Sequence, residues 1–286
     1  MSNGLKFTGR FIESSIDCLR DPFIVVFEGV YYAYGTGWVY YKNTTGDLAS
    51  GWEGPVMCVE VPEDAETNFW APEVHRYNGR FYMFSTYLSK KTGHRGCFIA
   101  EADTPEGPFR MISGGHLTPK EWDCIDGTLY IDRDGKPWMV FVHEWTSMPD
   151  HVGTMAAARL SDDLTHFISE PIEMFRADAP KWAKAGVTDG CFLYRTSDGR
   201  LLMTWSNFDA YGYCVGIAES DSGEIDGKWL QHDELLYSKG EDRPYDGGHG
   251  MLFRALDGKL YFSMHSPNGA VGDRHEKPVF YETEEE

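Results

Sequence analysis

Three aspartates open similar stretches of this sequence and have the chemistry of an acid–base site. The stretches begin Asp21-Pro22-Phe23, Asp126-Gly127-Thr128 and Asp189-Gly190-Cys191. If the side chains meet, one carboxyl can hold a proton for a leaving oxygen while an ionised one activates water. Two carboxyl groups flanking the scissile bond are what glycoside hydrolysis requires, and a third nearby acid can raise the donor's pKa. The alternative is that each aspartate binds backbone amides of its own turn.

The elements that must position these residues repeat along the chain. Related stretches also begin at Ala71-Pro72-Glu73 and Gly248-His249-Gly250, so the starts at 21, 71, 126, 189 and 249 are 50–63 residues apart. Each stretch reaches a glycine turn and then a second apolar run, which is a hairpin signal. A period of this length with several strands per unit indicates propeller blades. We therefore predict an all-β, single domain over residues 1–286.

The predicted fold is a five-bladed β-propeller with four-stranded antiparallel blades around a central channel. Residues 1–20 are expected to form a lead-in strand that completes the last blade, which leaves no sheet edge open. Innermost strands of a propeller start at the same end of the channel. The first residues of the repeats are therefore expected on one ring, namely Asp21, Ala71, Asp126, Asp189 and His249.

Composition excludes several classes of partner. The net charge of −19 should repel phosphate backbones, so we expect no nucleic-acid partner and no anionic membrane surface. No apolar run approaches the length of a membrane span. The six cysteines form no CxxC pair and are interpreted as buried free thiols. With the absence of an apolar signal core at the N-terminus, they predict a cytoplasmic protein, unless a leader has been trimmed.

Five blocks together resemble glycoside hydrolase family 43, whose members are inverting five-bladed propellers that include arabinofuranosidases, arabinanases and xylosidases. They span all five repeats and nearly the whole chain. The blocks are RDPFI at 20–24, WAPEVHRYNGRFYMF at 70–84, IDGTLYIDRDGKPWMVFVHEW at 125–145, VTDGCFLYR at 187–195 and GGHGMLFR at 247–254.

The resemblance implies a role for each aspartate. Asp21 is similar to the family's general base, and Asp126 to the acid that tunes the pKa of the donor and orients it. Asp189 stands where the family usually has Glu in a Glu-Gly-Pro motif, which makes it the expected general acid. Two departures occur there, because Asp is one methylene shorter than Glu and Cys191 replaces the usual Pro. Glu144, just after the second strand of the third repeat, is the alternative donor.

The resemblance also implies a metal and a substrate. His249 is similar to a channel histidine that touches a central metal ion through waters, usually calcium, although a bond from His249 to a ring carboxylate or to the sugar is equally compatible with the sequence. Trp70 and Trp145 are candidate faces for stacking on a sugar ring, against the alternative of packing between blades. No organic cofactor is expected.

The leading hypothesis is an inverting, exo-acting α-L-arabinofuranosidase on arabinose-containing plant oligosaccharides. The nearest rivals are a β-xylosidase and an endo-arabinanase of the same family. A catalytically silent carbohydrate-binding propeller is the alternative from another class, and the Asp in place of Glu at position 189 motivates it. A glycoside phosphorylase would need a basic cluster at the channel mouth, and only His249 and scattered arginines such as Arg243 and Arg274 are available.

Overall fold

The computed structural model describes residues 3–286, and all its regular elements are β-strands arranged as five sheets. Blade one contains β2 (Phe23–Phe27), β3 (Val30–Gly35), β4 (Val39–Asn43) and β5 (Glu53–Met57). Blade two contains β6 (Ala65–Tyr77), β7 (Arg80–Ser89), β8 (Arg95–Ala102) and β9 (Arg110–Met111). Blade three contains β10 (Cys124–Ile131), β11 (Pro137–His143), β12 (Thr154–Arg159) and β13 (Ile172–Arg176).

The last two sheets complete the ring. Blade four contains β14 (Asp189–Arg195), β15 (Leu201–Phe208), β16 (Tyr213–Ser220) and β17 (Trp229–Gln231). Blade five contains β1 (Leu5–Glu13), β18 (Gly248–Arg254), β19 (Leu260–Ser266) and β20 (Lys277–Glu285). The inner strands β2, β6, β10, β14 and β18 contact one another in that order, and β18 returns to β2. The predicted five-bladed propeller with four antiparallel strands per blade is confirmed.

Local sequence explains the first hairpin of each blade. The turns between the inner two strands contain Gly29, Gly79, Gly135, Gly199 and Gly258, all with φ between 76° and 92°. Side-chain-bearing residues rarely adopt this left-handed conformation, whereas glycine adopts it at no steric cost. These five glycines therefore determine where each inner strand reverses.

The N-terminal strand closes the ring, as predicted. β1 pairs antiparallel with β20, from Leu5 opposite Glu285 to Glu13 opposite Val279. A single sheet thus contains both ends of the described chain, which ties blade five to the start of blade one. Of the predicted lead-in residues 1–20, residues 1 and 2 lie outside the described part. The bounds of the predicted single domain, 1–286, stay a prediction.

The core lies between neighbouring blades. Trp38, Trp205 and Phe262 are fully buried, and they belong to three different apolar clusters. Residues 155–160, whose alanines also suit a helix, are a strand and one bridge residue because β12 pairs with both of its neighbours. The cysteines are free and five are buried, but Cys18 is exposed, contrary to expectation. No helix within residues 3–286 is long and apolar enough to cross a membrane.

Candidate active site

The channel end is formed by residues with left-handed backbones at the start of each repeat. Asp21, Ala71, Asp126, Gly190 and His249 have φ between 43° and 56°. In the last four, strand pairing is interrupted by a bulge at these positions. Non-glycine residues adopt such φ values at an energetic cost, and such strain clusters at functional sites. The shared conformation defines one ring of equivalent positions.

The predicted ring is wrong by one residue in blade four. In β10 the pairing skips Asp126 and Gly127, and in β14 it skips Gly190 and Cys191. The structural equivalent of Asp126 is therefore Gly190, and Asp189 precedes the ring position. The sequence could not show this shift, because both blocks have an aspartate followed by glycine, and only the pairing with the neighbouring strand places the bulge. The Asp189 side chain nevertheless reaches the other aspartates.

Asp21 is a buried carboxylate with several polar partners. The Thr36 hydroxyl donates a hydrogen bond to Asp21 Oδ2, and Thr36 Oγ1 accepts one from the Ala71 amide at 3.1 Å. The Asp21 amide donates to His265 Nδ1 at 3.2 Å. Burial by itself would raise the pKa of Asp21, but the positive charges of His249, His265 and Arg20 and the hydrogen bond from Thr36 together outweigh it, and the pKa is lowered. Asp21 is therefore held in its ionised form.

His249 joins the three aspartates. Its Nδ1 lies 3.3 Å from Asp21 Oδ1, 3.7 Å from Asp126 Oδ2 and 3.4 Å from Asp189 Oδ1. Its amide donates to Ser206 Oγ at 2.9 Å, which fixes the left-handed backbone. Burial would lower the pKa of His249, but the three carboxyl groups outweigh it and raise the pKa well above its usual range. The predicted convergence of Asp21, Asp126, Asp189 and His249 is present in the structure.

Asp126 and Asp189 lie side by side but have different hydrogen-bond partners. The Gly190 amide donates to Asp126 Oδ2 at 3.0 Å, and the Tyr213 hydroxyl donates to Asp189 Oδ2 at 2.6 Å. Burial raises the pKa of Asp126, and the negative charge of Asp189 adds to the increase. Burial would also raise the pKa of Asp189, but hydrogen bonds from Asp126, His249 and Tyr213 lower it. Asp126 is the carboxyl group of this pair that holds a proton.

Glu144 approaches the aspartates from blade three. Its amide donates to the Asp123 carbonyl at 2.8 Å, which places the side chain directly after β11. Arg95 Nε donates to Glu144 Oε2 at 2.6 Å. Burial nevertheless raises the pKa of Glu144, because desolvation outweighs the favourable charge of Arg95. Glu144 is therefore a second carboxyl group, after Asp126, that keeps its proton to a higher pH than an ordinary carboxyl group.

A cavity of about 320 Å³ unites these groups. Its lining includes Asp21, Asp126, Asp189, Glu144 and His249, together with Arg20, Thr36, Ile125, Trp70 and Trp145. Both predicted tryptophans are half-buried there, and Trp70 also packs against the core and under the Arg95 guanidinium. A larger cavity of about 680 Å³ lies against the outer strands of blade five, and Asp21, Asp126, Asp189 and Glu144 are not among its lining residues. The chemistry is therefore assigned to the smaller cavity.

Sequence reasoning missed four polar partners of the site, namely Thr36, Arg95, Tyr213 and His265. Each lies on a strand or turn other than the one that bears or adjoins the aspartate or glutamate it contacts. No motif surrounds them, and their relation to the carboxylates exists only through strand pairing. Glu73, outside the cavity, contacts His75 Nε2 through Oε2 at 3.2 Å.

The metal-binding capacity of the site is limited. One ligand atom from each of Asp126, Asp189 and His249 lies within 4.8 Å of the others, which is close enough to hold an ion. Calcium takes six to eight oxygen ligands, and histidine binds a metal only when its nitrogen is deprotonated. Here His249 Nδ1 faces three carboxyl groups, which favours its protonated form. The donor set does not by itself fit a calcium site.

Comparison with known proteins agrees with this geometry. The family model for Glycosyl hydrolases family 43 matches residues 17–282. A solved endo-arabinase from Bacteroides thetaiotaomicron VPI-5482 is 36% identical, with a TM-score of 0.80 and 97% of each chain covered. An extracellular exo-α-(1→5)-L-arabinofuranosidase from Streptomyces chartreusis is 24% identical over 248 residues, 81% of this chain and 73% of the relative.

The name of a further relative includes xylose as well as arabinose. A xylosidase/arabinosidase from Butyrivibrio fibrisolvens is 26% identical over 219 residues, 70% of this chain and 38% of the relative. The family match covers nearly all of the five blades, and the buried carboxyl groups lie at the channel end where the repeats begin. The chain is a glycoside hydrolase that belongs to glycosyl hydrolases family 43.

Proposed function

We propose that this hydrolase acts with inversion and releases single α-L-arabinofuranose units from arabinose-containing oligosaccharides. The observation that carries the proposal is the convergence of Asp21 with three further carboxyl groups in one cavity, and the lowered pKa of Asp21 supports it. In this reaction Asp21 is the general base that takes a proton from the attacking water. Asp126 and Asp189 set the electrostatics beside it, and either Asp189 or Glu144 protonates the leaving oxygen.

The sugar and the exo mode have separate support. Relatives with names that specify arabinose linkages include the exo-acting enzyme from Streptomyces chartreusis. A volume of about 320 Å³ is at the small end of ligand pockets, which span roughly 300–1,000 Å³. A small, partly enclosed pocket accommodates a chain end better than the middle of a polysaccharide. Trp70 and Trp145 supply apolar faces on which a sugar ring can stack.

The proposal is tested with nitrophenyl α-L-arabinofuranoside and Asp21→Asn. We expect kcat/KM to fall about a hundred- to ten-thousand-fold, because the variant lacks the base that activates water. Asp226→Asn, in an exposed link of blade four, is the matched control and should keep full activity. The anomer released first, followed by NMR, should be the inverted one. Full activity of Asp21→Asn or a retained anomer would contradict the mechanism.

An endo-arabinanase is the second candidate, favoured by the 36% identity to the endo-arabinase from Bacteroides thetaiotaomicron. Chromatography of early products from linear arabinan separates the two modes. The exo proposal predicts arabinose as the sole early product, whereas a ladder of oligosaccharides would support the endo mode. The same panel should include aryl xylosides, because a β-xylosidase would prefer them.

Two other classes have distinct signatures. A catalytically silent binding protein would bind arabino-oligosaccharides in calorimetry without turnover of any glycoside in the panel. A phosphorylase would require phosphate for activity. Among the cavity residues Arg20 is the one with a permanent cation, and it is engaged by Glu276 at 3.1 Å and by Asn268 at 3.0 Å. This charge distribution favours water as the nucleophile.

A further inference from the structure

The environment of the carboxyl groups distinguishes the two possible proton donors. We propose that Glu144 donates the proton to the leaving oxygen and that Asp189 is a positioning residue for His249. This inference rests on the proposed hydrolase function. It reverses the preference implied by position in the repeat, which placed Asp189 on the ring.

Asp189 has both carboxylate oxygens engaged by donors. Its Oδ2 accepts from the Tyr213 hydroxyl at 2.6 Å, and its Oδ1 faces His249 Nδ1 at 3.4 Å. A carboxylate oxygen that accepts a hydrogen bond from a donor cannot at the same time donate a proton along that bond. A donor at this position would have to break contacts that stabilise the ionised form.

The separation from the base argues in the same direction. Asp21 Oδ1 and Asp189 Oδ1 lie 3.3 and 3.4 Å from the same nitrogen, so they are at most about 6.7 Å apart. Inverting enzymes separate the two carboxyl groups by roughly 6.5–9.5 Å to leave room for the sugar and the water. The distance between these oxygens is therefore at most about 0.2 Å above the short limit of that range.

Glu144 has the complementary arrangement. Arg95 Nε binds Oε2 at 2.6 Å, while Oε1 makes no hydrogen bond to any residue from Asn3 to Glu286. In the neutral acid Oε2 is then the carbonyl oxygen that accepts from Arg95, and Oε1 carries the proton. The side chain is 6% exposed and lines the same cavity as Asp21. Arg95 also contacts Asp123 Oδ2 at 3.3 Å, which fixes the guanidinium that orients the donor.

The proton balance of the step is complete. The Glu144 Oε1–H proton passes to the glycosidic oxygen while the bond from that oxygen to the anomeric carbon breaks. Water attacks the anomeric carbon from the opposite face, and Asp21 accepts the proton that the water loses. Glu144 ends ionised and Asp21 ends protonated, and exchange with solvent restores both groups.

Leaving-group dependence tests the assignment directly. Glu144→Gln and Asp189→Asn are assayed on an unactivated arabino-oligosaccharide and on the dinitrophenyl glycoside, which needs no proton to depart. We expect Glu144→Gln to lower kcat/KM about a hundred- to ten-thousand-fold on the oligosaccharide but less than about tenfold on the dinitrophenyl glycoside. The alkaline limb of its pH profile should also disappear. Asp189→Asn should lose similar factors on both substrates and keep that limb.

Controls separate folding from chemistry. Glu219→Gln removes another Glu–Arg contact, 2.6 Å from Arg200 in blade four and outside the cavity, and should keep wild-type activity. Glu144→Asp retains a carboxyl group and should recover part of the oligosaccharide activity if Glu144→Gln folds poorly. If Asp189→Asn, rather than Glu144→Gln, lost activity on the oligosaccharide but kept it on the dinitrophenyl glycoside, the donor assignment would be overturned. The hydrolase proposal would remain intact. A wild-type protein inactive on both arabinosides and xylosides would overturn both proposals.

Discussion

The charge of His249 leads to a quantitative prediction for His249→Asn. The imidazole Nδ1 lies 3.3–3.7 Å from carboxyl oxygens of Asp21, Asp126 and Asp189. Asparagine tolerates the left-handed backbone of this position, where φ is 48°, so the substitution mainly removes charge. The variant must then compensate the buried negative charge with a proton on a carboxyl group.

The expected loss follows from where that proton comes from. The raised pKa of His249 stabilises the fold fully below its ordinary value of 6.5, and the contribution is lost as the pH rises through the folded-state pKa. A carboxyl group with an ordinary pKa of 3.8 takes up the same proton at greater cost. Because each pH unit costs about 1.4 kcal/mol, the destabilisation should grow from pH 3.8 to 6.5 and then level off near 4 kcal/mol.

Urea unfolding at about pH 4.5 and about pH 7.5 measures this dependence. EDTA should be present throughout, so that no metal ion replaces the lost charge. The variant should lose about 3 kcal/mol more at the higher pH than at the lower. Leu252→Ala, on the same strand and buried, is the control and should cost about 2–5 kcal/mol at both pH values. An equal loss for His249→Asn at both pH values would refute the electrostatic reasoning.

Three further predictions follow from the site. Tyr213→Phe removes the hydroxyl that donates to Asp189 Oδ2 at 2.6 Å, so the free energy of unfolding should fall by roughly 1.5–3 kcal/mol in urea titrations; an unchanged midpoint would contradict the bond. Gly190→Ala would place Cβ 2.7 Å from the His249 Cα, so kcat should fall although no charge is lost; wild-type kinetics would argue against this packing. Because the pKa of Asp21 is lowered, its contribution to stability is present above 3.8 and lost as the pH falls through the folded-state pKa. The acid limb of kcat/KM should accordingly lie below pH 3.8, and a limb near neutrality would exclude Asp21 as the free-enzyme base.

The architecture of this propeller was predictable because it is encoded in local and repeated signals. The turn glycines such as Gly135 and Gly199 have φ values of 76° and 92°, and the runs that follow them are strands. A repeat of this kind buries its apolar faces only against neighbouring copies, so the period alone indicates the ring. The pairing of β1 with β20 follows from the same need to cover a sheet edge.

The arrangement within the site was only partly predictable. The sequence indicated Asp21, Asp126, Asp189 and His249 as a convergent group, and the structure brings these four together. It did not show Tyr213 as a donor to Asp189, because the tyrosine belongs to the third strand of its blade and is close only when the sheet has formed.

The sequence by itself determined the number of blades, the order of the strands and the identity of the acids at the channel end. The tertiary structure decided which backbone position Asp189 occupies, which carboxyl groups have raised or lowered pKa values, and that Glu144 lines the cavity in contact with Arg95. The physical reason is the separation along the chain of the residues that interact. Turn conformations and apolar periods depend on neighbouring residues along the chain, whereas bulge register, desolvation and ion pairing depend on groups brought together from different blades.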